Sequence, residues 1–330
     1  MANNVNSISI PLRQCNVSQY KIGDDVDNTF SVKYTKEPRP TKNGNLWFDI
    51  RLADKTGEIS LKFWGNDDKK TQTIYESLKQ AKVVYTKGGK IADFNGPYIS
   101  VNSDSGIVEP TTDYNPGDFV AQSKQSIPDM ISELDERIEG MDDPFLKPLL
   151  KNFFDNPKNL ELFSTCPAAM SYHQNYIGGL LEHSLQLVQA CWFYSMHHDE
   201  LDTDLLIAGC ILHDIGKIKE LQVDVGIEVS EEGNFLGHVT SGVILVNDMI
   251  REIPDFPEIL RLKLLHIIIS HHGKKEHGAL KEPSFPEAEL IHQVDMMDSQ
   301  VSYMEQQIEQ SNTDDDWLWD GKTKRRIFRH

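Results

Sequence analysis

The chain has 330 residues, 39% of them hydrophobic and 25% charged, with a formal net charge of −18 at pH 7. That length accommodates two domains of ordinary size, and no run of eighteen apolar residues occurs that could form a transmembrane helix. The start, Met1-Ala-Asn-Asn-Val-Asn6, has no apolar core and does not read as a secretory signal. The cysteines Cys15, Cys166, Cys191 and Cys210 show no CxxC spacing, so reduced thiols in a cytoplasmic protein are expected. A net charge of this sign argues by itself against nucleic acid as a partner, but it is unevenly spread. Between Ser31 and Ser100 thirteen Lys and Arg stand against eight Asp and Glu, and Lys322–Arg329 is also basic, whereas acid gathers at Glu231-Glu232 and Asp314–Asp316.

Along the first hundred residues the pattern is β. Phe30–Tyr34, Leu46–Leu52 and Ile59–Trp64 alternate apolar with polar residues, the last two joined by the turn-rich Ala53–Glu58. A helix is expected over about Thr71–Ala81. Strands follow at Val83–Thr86, Lys90–Phe94 and, after a turn at Asn95-Gly96-Pro97, Tyr98–Val101. Short strands with one helix after the third fit a five-stranded closed barrel of oligonucleotide-binding (OB) type, assigned to residues 1–112. Alternation sends Phe48, Ile50, Leu52, Ile59, Leu61 and Phe63 inward and leaves Trp47, Asp49, Arg51, Ser60, Lys62 and Trp64 outside. Aromatic faces beside cations hold single strands by stacking and phosphate neutralisation. Trp47, Arg51, Lys62 and Trp64 are therefore the expected substrate contacts, with packing of either tryptophan against the second domain as the alternative. The basic stretch Pro38–Asn45 reads as a loop that could close over a strand.

A Pro/Gly/Asp-rich stretch, Glu109–Asp118, marks the boundary. Residues 113–330 read as an all-α bundle with a C-terminal tail. Spacings of three and four recur over Ile127–Ile138, Pro144–Phe154, Leu180–Trp192, Leu205–Leu212, Val239–Ile250, Leu260–Ile269 and Glu287–Met304. One small hairpin is expected over Asp224–Phe235, turning at Glu231-Glu232-Gly233-Asn234.

Within these helices lie His183, His213-Asp214, His238, His271-His272 and Asp295, each on a helix or at its end in an apolar context. Taken singly, each has an ordinary reading. A lone His is usually a core or capping residue. Asp214-Ile-Gly-Lys217 and His271-His272-Gly273 could be capped helix ends, and Asp295 an ion-paired surface residue. Taken together, imidazoles and carboxylates from five elements suit a divalent Mn, Fe, Co, Ni or Zn centre in a bundle core. His183, His213, Asp214 and Asp295 could hold one ion, and His238 and His271, with Asp214 bridging, a second. Two ions about 3.5–4 Å apart clamp a phosphate and activate a water. Lys217, one turn past Asp214, is placed to neutralise transition-state charge, which makes Asp214 and Lys217 the candidate catalytic pair. His197-His198, beside Asp199 and Glu200, reads as a solvated helix end.

The order His183 … His213-Asp214 … Asp295 resembles the HD-domain metal-dependent phosphohydrolases, and His238 with His271-His272 resembles their two-metal members. With the N-terminal barrel, the chain is similar to the YhaM-type 3′→5′ exoribonucleases from about Asn16 to the basic tail. The resemblance is carried by His173–Ser184, Ala208–Lys217, Phe235–His238, His271–Gly273, and Pro286–Ala288 with His292 and Asp295. It implies release of nucleoside 5′-monophosphates from single-stranded RNA, with single-stranded DNA as a second substrate and manganese as the preferred ion. It also implies substrate contacts at His173 and His272. Tyr172-His173 stands where the family often has paired histidines, which leaves His173 as the phosphate contact. No membrane partner is expected, and homo-oligomerisation is left open. Two other functions fit the same residues: a nucleotide or cyclic-dinucleotide phosphohydrolase with a regulatory barrel, and a non-enzymatic single-strand-binding protein.

Overall fold

The computed structural model describes residues 16–170, 174–311 and 315–329. Two compact units result: residues to Val120 together with Asp224–Gly226, and the remainder from Ala121 onward.

In the first unit the order is β1 (Asp25–Pro40), β2 (Leu46–Asp54), β3 (Gly57–Trp64), α1 (Asp68–Leu78), β4 (Val83–Asp93), β5 (Pro97–Asn102) and β6 (Ile107–Pro110). β2 pairs antiparallel with β1 and β3, β3 runs parallel to β5, and β5 pairs antiparallel with β4. β1 closes the ring because it is long enough to serve two neighbours: Asp25–Ser31 pair with β4 and Ser31–Pro40 with β2, with a register shift between Val32 and Tyr34. A ring in the order 1-2-3-5-4 with a helix between its third and fourth strands is OB topology. Phe48, Ile50, Leu52, Leu61 and Phe63 fill it, each at 1% exposure or less. Asp67 caps α1 by accepting from the Lys70 N–H at 2.7 Å.

Several details differ from the sequence reading, among them β6, which runs into the expected boundary stretch at Glu109-Pro110. Val83–Thr86 and Lys90–Asp93 are one strand, because Lys87-Gly88-Gly89 is absorbed as a bulge opposite Val26 and Asp27. Pro38-Arg39-Pro40 ends β1 and does not belong to the loop, since proline is tolerated at the end of a strand.

The second unit is helical: α2 (Ile127–Glu139), α3 (Leu146–Phe154), α4 (Pro157–Thr165), α5 (Gly179–Ser195), α6 (Thr203–Leu212), α7 (Lys217–Glu220), β7 (Leu221–Val223), β8 (Ile227–Val229), α8 (Glu231–Arg251), α9 (Glu258–Ser270), α10 (Pro286–Gln310), β9 (Trp317–Asp320) and β10 (Arg325–Phe328). Every residue of α6 from Leu205 to Leu212 is buried. A helix apolar on all sides lies in a core, and this one carries its C-terminal His213-Asp214 inside with it. The expected hairpin is real but displaced: its strands are Leu221–Val223 and Ile227–Val229. Ser230 Oγ accepts from the Gly233 N–H at 2.9 Å and starts α8, so Glu231–Asn234 are its first turn. Glu231 and Glu232 there favour the positive end of the helix dipole. No helix among the described residues is long and apolar enough to cross a membrane.

Candidate metal centre and nucleic-acid face

The six metal-ligand candidates come from five elements and meet in one place. His183 sits in the second turn of α5, His213 and Asp214 just past α6, His238 inside α8, His271 just past α9, and Asp295 mid-way along α10. His183, His213, Asp214 and His271 are each exposed by 2% or less.

Two glycines bring His238 to this cluster. Gly237 has φ 68° and ψ 165°, a conformation that breaks α8 and re-aims the residue after it. At Gly216 a Cβ would lie 1.9 Å from the His238 carbonyl oxygen and 2.6 Å from the Gly242 nitrogen, so only glycine lets α8 approach the start of α7 this closely.

The hydrogen bonds at the outer nitrogens orient the rings. His183 Nδ1 lies 2.8 Å from Asp298 Oδ2, and His238 Nδ1 lies 2.9 Å from Glu220 Oε2. His213 Nδ1 lies 2.7 Å from the Cys210 carbonyl, and His271 Nδ1 lies 2.8 Å from the Ile268 carbonyl. Carbonyls and ionised carboxylates only accept, so each Nδ1 donates and each ring, when neutral, turns an Nε2 lone pair inward. Those Nε2 atoms face carboxylate oxygens. His183 is 3.2 Å from Asp295 Oδ1, His213 is 3.3 Å from Asp214 Oδ2, and His238 and His271 are 3.6 and 3.4 Å from Asp214 Oδ1. Around Asp214, neutral rings would set acceptor against acceptor. His213 Nε2, His238 Nε2, His271 Nε2, His272 Nδ1 and Asp214 Oδ1 are buried and make no hydrogen bond among the described atoms. Such groups are costly unless a cation lies between them. The donor atoms fall into two sets that could each hold an ion: His183, His213 and Asp214, and His238, His271 and His272. His272 thus stands in the second cluster itself. The donors fit a divalent transition metal.

Electrostatics divide the rings. Burial opposes charge on His183, but Asp295 and Asp298 outweigh it and push the ring up to about 9, so without an ion this ring is protonated near neutral pH and an ion at its Nε2 would displace that proton. Burial pushes His271 down, and burial with the neighbouring His271 brings His272 to about 3. Burial works against the Asp214 carboxylate, yet Lys217 and His213 hold it well below its ordinary range. Lys217 Nζ is 2.5 Å from Asp214 Oδ2, and burial of this ammonium is outweighed by that carboxylate, so its pKa is raised.

Asp298 and Glu220 were missed in the sequence, although Asp298 follows Asp295 by three residues and so shares its helix face. His173 lies outside the described residues. His197 and His198 are exposed past the end of α5 and away from the cluster, His198 stacked on Tyr194.

On the barrel, Trp47 and Trp64 are cross-strand partners with rings stacked at 5.0 Å and 18°. The Arg39 guanidinium covers Trp47 at 4.5 Å, and Arg39 pairs with Asp49. Lys62 lies 4.1 Å from the centre of the Tyr98 ring and 5.2 Å from that of Phe94. Arg51 is engaged by Glu58 at 3.0 Å and Ser60 at 3.2 Å. The structure therefore groups Trp47, Trp64 and Lys62 with Arg39, Phe94 and Tyr98, while Arg51 uses its Nε and Nη1 within the sheet.

The HD domain model matches residues 180–299. The 3′-5′ exoribonuclease YhaM of Halalkalibacterium halodurans is 28% identical over 295 residues, which cover 88% of each chain. Similar solved structures include the OB domain of a Thermoplasma acidophilum protein (17% identity, 31% of this chain and 90% of that one, TM-score 0.24). The replication factor A related protein of Methanobacterium thermoautotrophicum is another (20% identity, 31% and 94%, TM-score 0.26). At such scores the strand order, not the superposition, identifies the barrel. The chain therefore contains an HD domain, residues 180–299, following an N-terminal barrel of OB topology.

Proposed function

We propose that this protein is a metal-dependent phosphodiesterase of the cytoplasm, a 3′→5′ exoribonuclease that releases nucleoside 5′-monophosphates from single-stranded RNA and also accepts single-stranded DNA. The observation that carries the reading is the inward convergence of imidazole lone pairs on the two oxygens of Asp214. His183, His213, Asp214 and Asp295 would hold one divalent ion, and His238 and His271 a second, with Asp214 shared and manganese preferred. Bound there, the ions would supply positive charge to a scissile phosphate and acidify a water. Lys217 keeps a cation against Asp214 and is positioned to stabilise charge developing on the phosphate. His173 and His272 would contact the terminal phosphate. The RNA substrate and the direction are those named for the Halalkalibacterium relative. Residues 1–112 would capture the strand through Trp47, Lys62, Trp64 and Arg51, and residues 113–330 would hydrolyse it.

The test is a 5′-labelled single-stranded RNA incubated with protein of known metal content and added Mn²⁺. Shortening from the 3′ end with 5′-mononucleotide products is expected. Uncut RNA beside hydrolysed free nucleotides, or products carrying 3′-phosphates, would overturn the reading.

A further inference from the structure

By sequence alone residues 315–329 read as a tail. In the structure they include an antiparallel hairpin in which Trp317 faces Phe328, Leu318 faces Ile327, Trp319 faces Arg326 and Asp320 faces Arg325. The pleat sorts these side chains into two faces. On one face Ile327 and Asp320 are buried, and Asp320 accepts from the Tyr303 hydroxyl of α10 at 2.9 Å. The other face carries Trp317, Trp319, Phe328 and Arg326. The three aromatic residues are 47%, 63% and 49% exposed. Large aromatic side chains seldom stay this exposed together unless they bind something.

Charge indicates what they bind. Lys322, Lys324, Arg325, Arg326 and Arg329 fall within eight residues, against Asp315 and Asp316 at the root of the hairpin and the internally bonded Asp320, in a chain whose net charge is −18. A basic island in an acidic protein suits a polyanion. The Arg326 guanidinium lies 5.2 Å from the Trp317 ring, so cation and stacking surface are presented together. Trp317 and Trp319 are two residues apart on one strand, about 6.8 Å along it, which is twice the stacking step of bases in a strand. The anchor Tyr303 lies eight residues beyond Asp295 on the same helix, about 12 Å along its axis. Roughly three or four stacked nucleotides span that distance.

We infer that the outer face of the β9–β10 hairpin is a second single-strand nucleic-acid contact, in which Trp317, Trp319 and Phe328 stack on bases and Arg326 meets phosphate. The ligand class rests on the exoribonuclease reading, but the contact has its own test. Trp319→Ala and Arg326→Ala are made in the full-length protein. Binding of a fluorescent 20-nucleotide oligouridine is measured by anisotropy on metal-stripped samples. Turnover of bis(4-nitrophenyl) phosphate with Mn²⁺ reports the metal site without a strand. Trp319→Ala is expected to weaken binding roughly 5- to 100-fold. Arg326→Ala is expected to reduce the salt dependence of binding by about 0.7 in logarithmic slope, with small-ester turnover unchanged in both variants. A 4-thiouridine oligomer should cross-link to the peptide containing Trp319. Unchanged affinity and slope would overturn the inference, as would a change confined to the sedimentation coefficient, which would make the face a contact between copies. RNA that binds through the hairpin but stays uncut would sink the exonuclease reading and leave the contact standing. RNA that is cut equally by wild type and variants, at equal affinity, would do the reverse.

Discussion

Asp298 Oδ2 lies 2.8 Å from Nδ1 of the fully buried His183, and this contact decides which nitrogen His183 turns toward Asp295. Glu220 does the same for His238. Partners of this kind fix the tautomer of a ligand ring and raise its basicity. Asp298→Ala and Glu220→Ala should each weaken Mn²⁺ binding about 10- to 100-fold while leaving oligonucleotide affinity of the metal-stripped protein as it is. Calorimetric metal titration and anisotropy separate the two effects.

Lys217, its side chain 12% exposed, lies against the buried Asp214, so removing one strands the other. Asp214→Ala should destabilise the helical unit by ~3–5 kcal/mol, the cost of an uncompensated buried charge. Asp214→Ala/Lys217→Met should recover most of that stability and still leave RNA hydrolysis at background. Urea melts set beside the RNA assay check both halves. Recovery of activity in the double variant would show that Asp214 is not needed for hydrolysis.

Chelation should lower the melting temperature, because it returns buried lone pairs to facing carboxylates. A ligand at a hundredfold excess over its Kd contributes about 2.7 kcal/mol. For a unit of this size that corresponds to roughly 5–10 °C. Thermal melts before chelation, after it and after Mn²⁺ replacement measure the shift. An unchanged melting temperature together with no bound metal by elemental analysis would remove the proposed centre.

The barrel variants should rank by how their side chains are already engaged. Trp64→Ala should lose single-strand affinity about 5- to 100-fold, and Lys62→Ala should lower the salt slope by about 0.7. Arg51→Ala should do less than either, because Glu58 and Ser60 already engage its Nε and Nη1. Equal losses at Arg51 and Trp64 would contradict that order.

Asp320 titrates low, at about 2. The Thr323 hydroxyl is the first cause; burial opposes it, and the Lys322 N–H and Tyr303 hydroxyl add to it. A depressed carboxylate contributes stability that is fully present above its unfolded pKa and is lost as pH falls through the folded value. The hairpin should therefore loosen between about pH 4 and pH 2, and Asp320→Asn should abolish that part of the acid response. The difference in tryptophan emission between wild type and variant across this range measures it.

The period-2 pattern of Phe48–Leu52 and Ile59–Phe63 determined the barrel interior, because a strand has two faces and only one can be apolar. The wholly apolar Leu205–Leu212 likewise determined that His213-Asp214 would end up inside, since such a helix has no face to offer water. Residue types and order were also enough to name the six candidate ligands. Their convergence was decided only in three dimensions. It depends on the break at Gly237, on the close approach at Gly216, and on Asp298 and Glu220, whose roles depend on which nitrogen they touch. Arg51 and Lys62 look alike along their strands, yet cross-strand partners occupy the first and leave the second over aromatic rings. The C-terminal hairpin was illegible for a related reason. Four residues per strand are too few for periodicity to speak, and what makes Trp317–Phe328 a two-faced element is Asp320 bonding to Tyr303, a contact seventeen residues away in the chain.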